Sequence, residues 1–255
     1  MLAPYLVDVE VTSAFVVDAI GPDRVRSPGG GHRAVTRSWG NHLLTLKNPN
    51  GLAKAVVVLL AGNIFFDVLL GLVDVRNLIG GAWGYAEPPT FAGADVYVLY
   101  SMSFTLFFAT GVVFIIWFHR LRKNAEIWAR DLQTRTPGYA IGCWFIPLGN
   151  FWIPRSIAVE IWRASRWEPY AADGKRELTL LNSWWVCWII GTLVNWISGK
   201  MYGAAETAEA YVIATQWSLV GYVLDAVAAV LAILVVRRLT SMQTAKATGM
   251  IPAAQ

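Results

Sequence analysis

Four apolar runs, at residues 55–73, 96–118, 180–197 and 211–236, are each long enough, at about 1.5 Å of helical rise per residue, to cross roughly 30 Å of hydrocarbon. Lys54 precedes the first, His119 and Arg120 follow the second, Trp184, Trp185 and Trp188 edge the third, and Arg237 and Arg238 stop the fourth. A fifth apolar stretch, residues 137–154, is written differently. It carries Pro147, Gly149, Asn150 and Pro154 in its middle and Arg155 directly after them. Proline removes a backbone donor and crowds the preceding turn, and in hydrocarbon the freed carbonyls must find partners inside the protein. This stretch is therefore predicted to bend and to be covered by the other helices.

The charges between the runs decide the topology. Arg120, Arg122, Lys123, Arg130 and Arg135 precede the broken stretch, and Arg163, Arg166, Lys175 and Arg176 follow it. If residues 137–154 crossed the membrane, one of these two basic segments would face outward, against the Lys/Arg bias of cytoplasmic loops. If the stretch enters and returns, every basic segment lies on one side, and the two loops of acidic balance, around Glu87 and Asp95 and around Glu206 and Glu209, lie on the other. The expected fold is an all-α membrane protein of four transmembrane helices plus a Pro/Gly-broken re-entrant or interfacial helical hairpin, with five spans as the alternative. Both termini are expected in the cytoplasm, and the compartment is the inner membrane.

Residues 1–50 read differently. Asp8, Glu10 and Asp18 interrupt a moderately apolar start that has no basic segment, which argues against a secretory signal. Pro22, Ser27-Pro28-Gly29-Gly30-Gly31 and Asn48-Pro49-Asn50-Gly51 then break any regular element. The expected organisation is a flexible cytoplasmic extension at 1–50, consistent also with an over-long gene start, a membrane domain at 51–243 and a tail at 244–255.

Composition agrees with the pattern. Hydrophobic residues make up 56% of the chain and charged residues 15%, with a mean hydropathy of +0.46, which moves it out of the soluble class. Thirteen tryptophans suit bilayer interfaces, where the ring is buried and its N–H stays wet. The net charge of +4 is spread beside the apolar runs rather than gathered in one block, so the partner it implies is the lipid bilayer and not nucleic acid. Cys143 and Cys187 lie in apolar segments without metal-ligand or CxxC spacing and read as buried thiols. His32, His42 and His119 fall outside the runs, and no phosphate loop, HExxH or GxSxG occurs, so no cofactor, metal or catalytic set is expected.

Around the broken stretch, Trp117, Arg120, Asn124-Ala125, Pro137-Gly138, Trp144-Phe145-Ile146-Pro147, Asn150, Pro154 and Glu160-Ile161-Trp162-Arg163-Ala164-Ser165 resemble the signature of a bacterial membrane-protein family known as domain of unknown function 4328. The resemblance is close over residues 117–165, looser over 52–243 and absent before. It implies a multi-pass membrane protein without an assigned activity, and so supplies no catalytic residues. Arg155 stands where the family resemblance leads one to expect an aromatic side chain.

Ionisable residues inside a span are functional candidates because each is costly to bury unpaired. Asp67 lies thirteen residues past Lys54 and Asp225 twelve before Arg237, which puts both roughly 18–20 Å from the same boundary. Asn63 sits one turn before Asp67, and Asn195 falls in the same layer. A half-helix over 138–147 would bring its tip to about 15 Å, from where Arg155 could reach both acids; Asn150 lies near that tip. Asp67, Asp225, Arg155, Asn63, Asn150 and Asn195 are thus the ligand or ion candidates. The plainer reading is that Asn63 and Asn195, with Ser101, Ser103, Thr105 and Thr110, only join helices, that the aromatic pairs are interface belts and core, and that Asn124, Glu126 and Glu160 line basic amphipathic helices.

Two function classes follow: a binding or scaffolding protein, partnered by other membrane proteins or a second copy and held by an intramembrane polar layer, and a small-molecule or ion transporter using the broken helix and the acids. An intramembrane enzyme ranks third, since no nucleophile–base or metal set supports it.

Overall fold

This computed structural model describes residues 45–80, 90–91 and 94–249. The expected extension as far as residue 44, residues 81–89 of the first acidic loop and 250–255 of the tail lie outside the described residues. The chain divides into two units, Met1–Lys47 and Asn48–Gln255, and the architecture below is that of the second.

Four long helices carry it: α1 (Asn50–Gly80), α2 (Val96–Trp128), α5 (Thr179–Ala204) and α6 (Ala208–Gly249). All four are long and apolar enough to cross a membrane, and no other described helix is. Each contains the run the hydropathy pattern predicts and extends past it, because helix does not stop where apolar residues do. Polar and charged side chains with good helix propensity carry α2 on to Trp128 and α6 on to Gly249. The boundary expected at 243/244 therefore falls inside α6. At its start α2 is capped by Asp95, whose side chain accepts from the Tyr97 amide (2.8 Å), supplying a partner to a donor that the first turn cannot use. Asp95 also belongs to a two-residue antiparallel ladder, Thr90–Phe91 with Ala94–Asp95.

The helices stand side by side in the order α2, α1, α6, α5. Small residues set the α5–α6 distance: a Cβ on Gly191 would lie 2.9 Å from an Asp225 carboxylate oxygen, and one on Gly221 would overlap the Asn195 carboxamide. Because the helices alternate in direction, the end of α2, the starts of α1 and α5 and the end of α6 share one end of the bundle, as the Thr244–Asn50 side-chain bond between α6 and α1 illustrates (3.2 Å). Among the described residues, the basic segments 120–135, 163–176 and 237–238 all lie at this end.

The broken stretch folds there too. It comprises α3 (Tyr139–Gly142), a 3-10 turn at Cys143–Phe145, a second at Gly149–Phe151, and α4 (Ile153–Ser165). Ile146 is extended (ψ 116°), as a residue before proline is driven to be, and Leu148 has φ 59°. The bend is thus at 146–148. Pro154, by contrast, occupies the first turn of α4, where its missing N–H is no loss.

The core sits at the basic end, where Trp117, Phe118, Leu121, Ile157, Ile161 and Leu239 are buried together. Phe114 and Trp144 pack into a ring cluster with Trp184, Trp185 and Trp188, at centroid distances of 4.9–6.1 Å. Elsewhere the long helices present large apolar side chains outward: only 6% of the most apolar window of α2 is buried. That suits a surface solvated by lipid tails rather than water.

Candidate functional site

Two polar constellations stand out. The first lies within the long helices. Asn195 of α5 donates to the Asp225 carboxylate of α6 (2.7 Å), and Asp67 of α1 is near enough to Asp225 for their charges to interact. Asn63 points instead to α2, donating to Thr110 Oγ1 (2.7 Å) and to the Leu59 carbonyl (2.8 Å). Towards the other end of the bundle Tyr100 approaches Asp74 (3.4 Å), with the Tyr222 hydroxyl nearby, Tyr202 pairs with Thr215 (2.6 Å) and Ser198 with Ser218 (2.7 Å). Apart from the Asn63–Leu59 bond within α1, each of these joins two different helices, and in hydrocarbon such contacts contribute about 0.6–2 kcal/mol apiece.

The structure does not bring Arg155 to the acids. Its Nε and Nη2 both donate to Asn182 Oδ1 (3.1 and 2.7 Å), and Asn182 lies thirteen residues before Asn195 on α5, about 20 Å away along the helix. The reason is the backbone of the hairpin. The expected half-helix over 138–147 is only four residues of α-helix followed by a 3-10 turn, so its reach is shorter. Trp144 meets α5 at Trp185 and Trp188, still seven residues, about 10 Å, short of Asn195. The consequence for mutagenesis reverses the expectation from depth alone. Arg155→Met should cost about 1.5–3 kcal/mol, the loss of one charge-assisted contact, and the triple variant Arg155→Met, Asp67→Asn, Asp225→Asn should be no more stable than this single one. A triple variant that unfolds at higher temperature than Arg155→Met would restore the three-residue cluster.

Asn150 is placed in the second turn of the hairpin, where its Oδ1 is buried without a hydrogen-bond partner among the described residues. The carbonyl of the next residue, Phe151, is satisfied by Trp185 Nε1 (2.9 Å), and that of Pro137 by His119 Nδ1 (3.0 Å). Side chains of the long helices thus supply the donors that the broken backbone lacks.

The second constellation, at the basic end, gathers Trp117, Arg120, Asn124, Glu160, Trp162 and Ser165 of the residues that carried the family resemblance. Trp117, fully buried, donates to Thr240 Oγ1 (3.1 Å). Asn124 donates to Gln243 Oε1 (3.0 Å), and Gln243 Nε2 donates to Ser165 Oγ (3.2 Å) and the Leu121 carbonyl (3.1 Å). Lys246 donates to the carbonyls of Ala164 (2.9 Å) and Arg166 (2.6 Å) and stands 5.3 Å over the Trp128 ring. Among the described residues Glu160 forms no ion pair; its carboxylate accepts from the Thr134 hydroxyl (2.6 Å) and amide (3.3 Å). Trp162 donates to Glu177 (2.9 Å), and Arg120 to the Asn48 carbonyl (2.9 Å). The buried Arg122 guanidinium donates to the Arg135 carbonyl and lies 3.7 Å from Glu126.

Sequence reasoning missed Thr240, Gln243 and Lys246, which lie past the apolar run of α6 and look like solvated tail. Their only signal was spacing, since 240, 243 and 246 fall with Leu239 along one side of the helix. After α4 the chain turns through 166–178, where Arg163 grips Asp173 (2.6 Å) and its hydrogen bond holds that carboxyl below the usual carboxylate range. Among the described residues no group of three or more His, Cys, Asp or Glu side chains could hold a metal ion, and Cys143 and Cys187 are free thiols.

No curated protein and no solved structure matches the chain. A family model does, over residues 88–241, which takes in α2, the hairpin, α4, α5 and most of α6 together with Trp117, Asn124, Glu160 and Ser165 of the buried network. The chain belongs to the family described as domain of unknown function (DUF4328).

Proposed function

We propose that this protein is a binding and assembly protein of the bacterial inner membrane, with four spans, an interfacial hairpin at 137–154 and its basic end in the cytoplasm, and that it works through that basic end. The observation that carries the reading is how the polar side chains of the long helices are used: Asn63 with Thr110, Asn195 with Asp225, Tyr202 with Thr215 and Ser198 with Ser218 each bond one helix to its neighbour. Such pairing locks the bundle rather than preparing it to open. The hairpin's exposed Phe145, Leu148 and Trp152 are apolar enough to rest in the headgroup boundary. Partners are other membrane proteins or a second copy, together with lipid.

A second reading, transport of a proton or cation, is favoured by one observation: among the described residues Asp67 accepts no hydrogen bond although Asp225 is close. Cysteine labelling separates the two. In a background lacking Cys143 and Cys187, a membrane-impermeant maleimide applied outside should modify Ala204→Cys and leave Ala172→Cys protected until the membrane is permeabilised. Asp67→Cys and Asn195→Cys should stay unmodified from both sides. External labelling at 172 would sink the four-span topology, and labelling at 67 or 195 would replace the locked bundle by a water-accessible pathway.

A further inference from the structure

At the basic end a cleft of about 1050 Å³ opens between the end of α4, the 166–178 segment, the start of α5 and the second half of α6. Its walls differ in chemistry along its length. One wall is held rigid by Arg166, which donates to Glu177 (3.0 Å) and to the carbonyls of Pro169 (3.1 Å) and Ala171 (3.0 Å), while the other oxygen of Glu177 accepts from Trp162 (2.9 Å). Glu177 is the acid among the lining residues, and these bonds occupy it. Arg176 and Arg238, also lining the cleft, are exposed and form no ion pair with any described residue, so the cleft presents two uncompensated guanidinium groups. Arg176 is held at φ 67°. Inward the lining turns apolar, through Leu180 of α5 and Leu231 of α6. Leu231 lies seven residues from Arg238 on the same helix, about 10 Å deeper toward the middle of the span.

From this arrangement we infer that the cleft is a binding site for the phosphate headgroup of an anionic phospholipid. Two arginines without acidic partners suit a phosphodiester, which their planar donors can bind in bidentate fashion. A basic pocket between spans at the membrane surface is where such headgroups are held. The apolar inner end, walled by Leu180 and Leu231, takes the first methylenes of an acyl chain, and a soluble phosphate would leave it unused. Arg166, already bonded to Glu177 and two carbonyls, positions the wall and need not touch the ligand. The inference rests on the binding reading above and names its ligand class.

The test uses the full chain purified in dodecyl maltoside, its melting temperature read with added dioleoylphosphatidylglycerol, dioleoylphosphatidylcholine or inorganic phosphate. Ligand that binds only the folded state raises Tm, and the rise is expected with phosphatidylglycerol alone. Arg176→Gln and Arg238→Gln should each weaken the apparent affinity about tenfold or more, the loss of a charge-assisted contact. The double variant should lose the rise while melting normally without lipid. Arg237→Gln, on α6 but outside the cleft, should keep it. An equal rise with phosphatidylcholine, an unchanged response in the double variant, or an equal loss in Arg237→Gln would overturn the site. A rise with inorganic phosphate matching that with phosphatidylglycerol would overturn the lipid source in favour of a soluble phosphate. If the double variant melts low without lipid, native mass spectrometry of the wild-type protein decides, by whether phosphatidylglycerol is retained over phosphatidylcholine. Failure of lipid selectivity with positions 67 and 195 still unlabelled removes only the lipid site. Labelled positions with intact selectivity remove only the locked bundle.

Discussion

Trp117→Ala is expected to destabilise the protein by about 3–5 kcal/mol in detergent, the cost of emptying a buried indole site that the surroundings only partly refill. The ring is fully buried, packs on Phe114 at 5.3 Å, and spends its N–H on Thr240 of α6 (3.1 Å), so one truncation loses packing and a cross-helix bond together. Trp117→Phe separates the two contributions. It keeps most of the ring packing and should cost only about 0.5–1.5 kcal/mol for the hydrogen bond, with some addition for the smaller ring. Equilibrium unfolding followed by tryptophan-independent circular dichroism measures both. If Ala and Phe cost the same, the packing argument is wrong and Trp117 matters only as a donor.

Lys246→Met should cost about 2–3 kcal/mol, although its position near the end of the chain suggests tolerance. The ammonium donates to the carbonyls of Ala164 and Arg166 (2.9 and 2.6 Å) at the C-terminal end of α4, where the last carbonyls of a helix have no partner of their own and a cation is favoured by the helix dipole. Hydrogen bonds to a charged group contribute about 1.5–3 kcal/mol, and the Trp128 face 5.3 Å away adds a smaller cation–π contribution. Truncation after Gln243 should be at least as damaging, because it removes the last turns of α6 with the lysine. A truncated protein that melts with the wild type would show that α4 and α6 hold together without this cap. Lys246→Arg tests the geometry: a planar guanidinium does not replace a compact point charge between two carbonyls, and only partial recovery is expected.

These expectations depend on contacts that could be read from the sequence to very different degrees. The four apolar runs were legible because a span's requirement is local: enough apolar residues in succession, with charge at the ends. The clustering of basic segments at one end followed as well, since four antiparallel crossings leave no other arrangement for loops at 120–135 and 163–176 if the hairpin returns. Pro147 marked the bend through its effect on the residue before it, whereas Pro154 gave the same signal and only opens α4. A proline restricts its own backbone and its predecessor's, but whether it interrupts a helix or begins one depends on where the helix starts.

Depth, by contrast, was only a partial guide to partnership. Counting residues from the span ends placed Asp67, Asp225, Asn63, Asn195 and Arg155 in one layer; the fold keeps Asp67, Asp225 and Asn195 together but gives Asn63 to Thr110 between α1 and α2 and Arg155 to Asn182 between α4 and α5. Rise along a helix determines height, while rotation about its axis and the order of helices in the row decide which side chains meet, and neither is a local property of the chain. Thr240, Gln243 and Lys246, which complete the buried network with Trp117, Asn124 and Ser165, escaped for the same reason. Those residues look solvated one helix at a time, and only the docking of α4 against α2 and α6 removes them from water and makes their hydrogen bonds with one another necessary. The sequence by itself determined how many helices cross and which end carries the positive charge, because hydrophobic length and charge are summed along the chain. The partners of each polar group were decided by tertiary packing, because an unpaired donor or acceptor in a low-dielectric interior costs about 1–3 kcal/mol and the fold settles where the helices can satisfy one another.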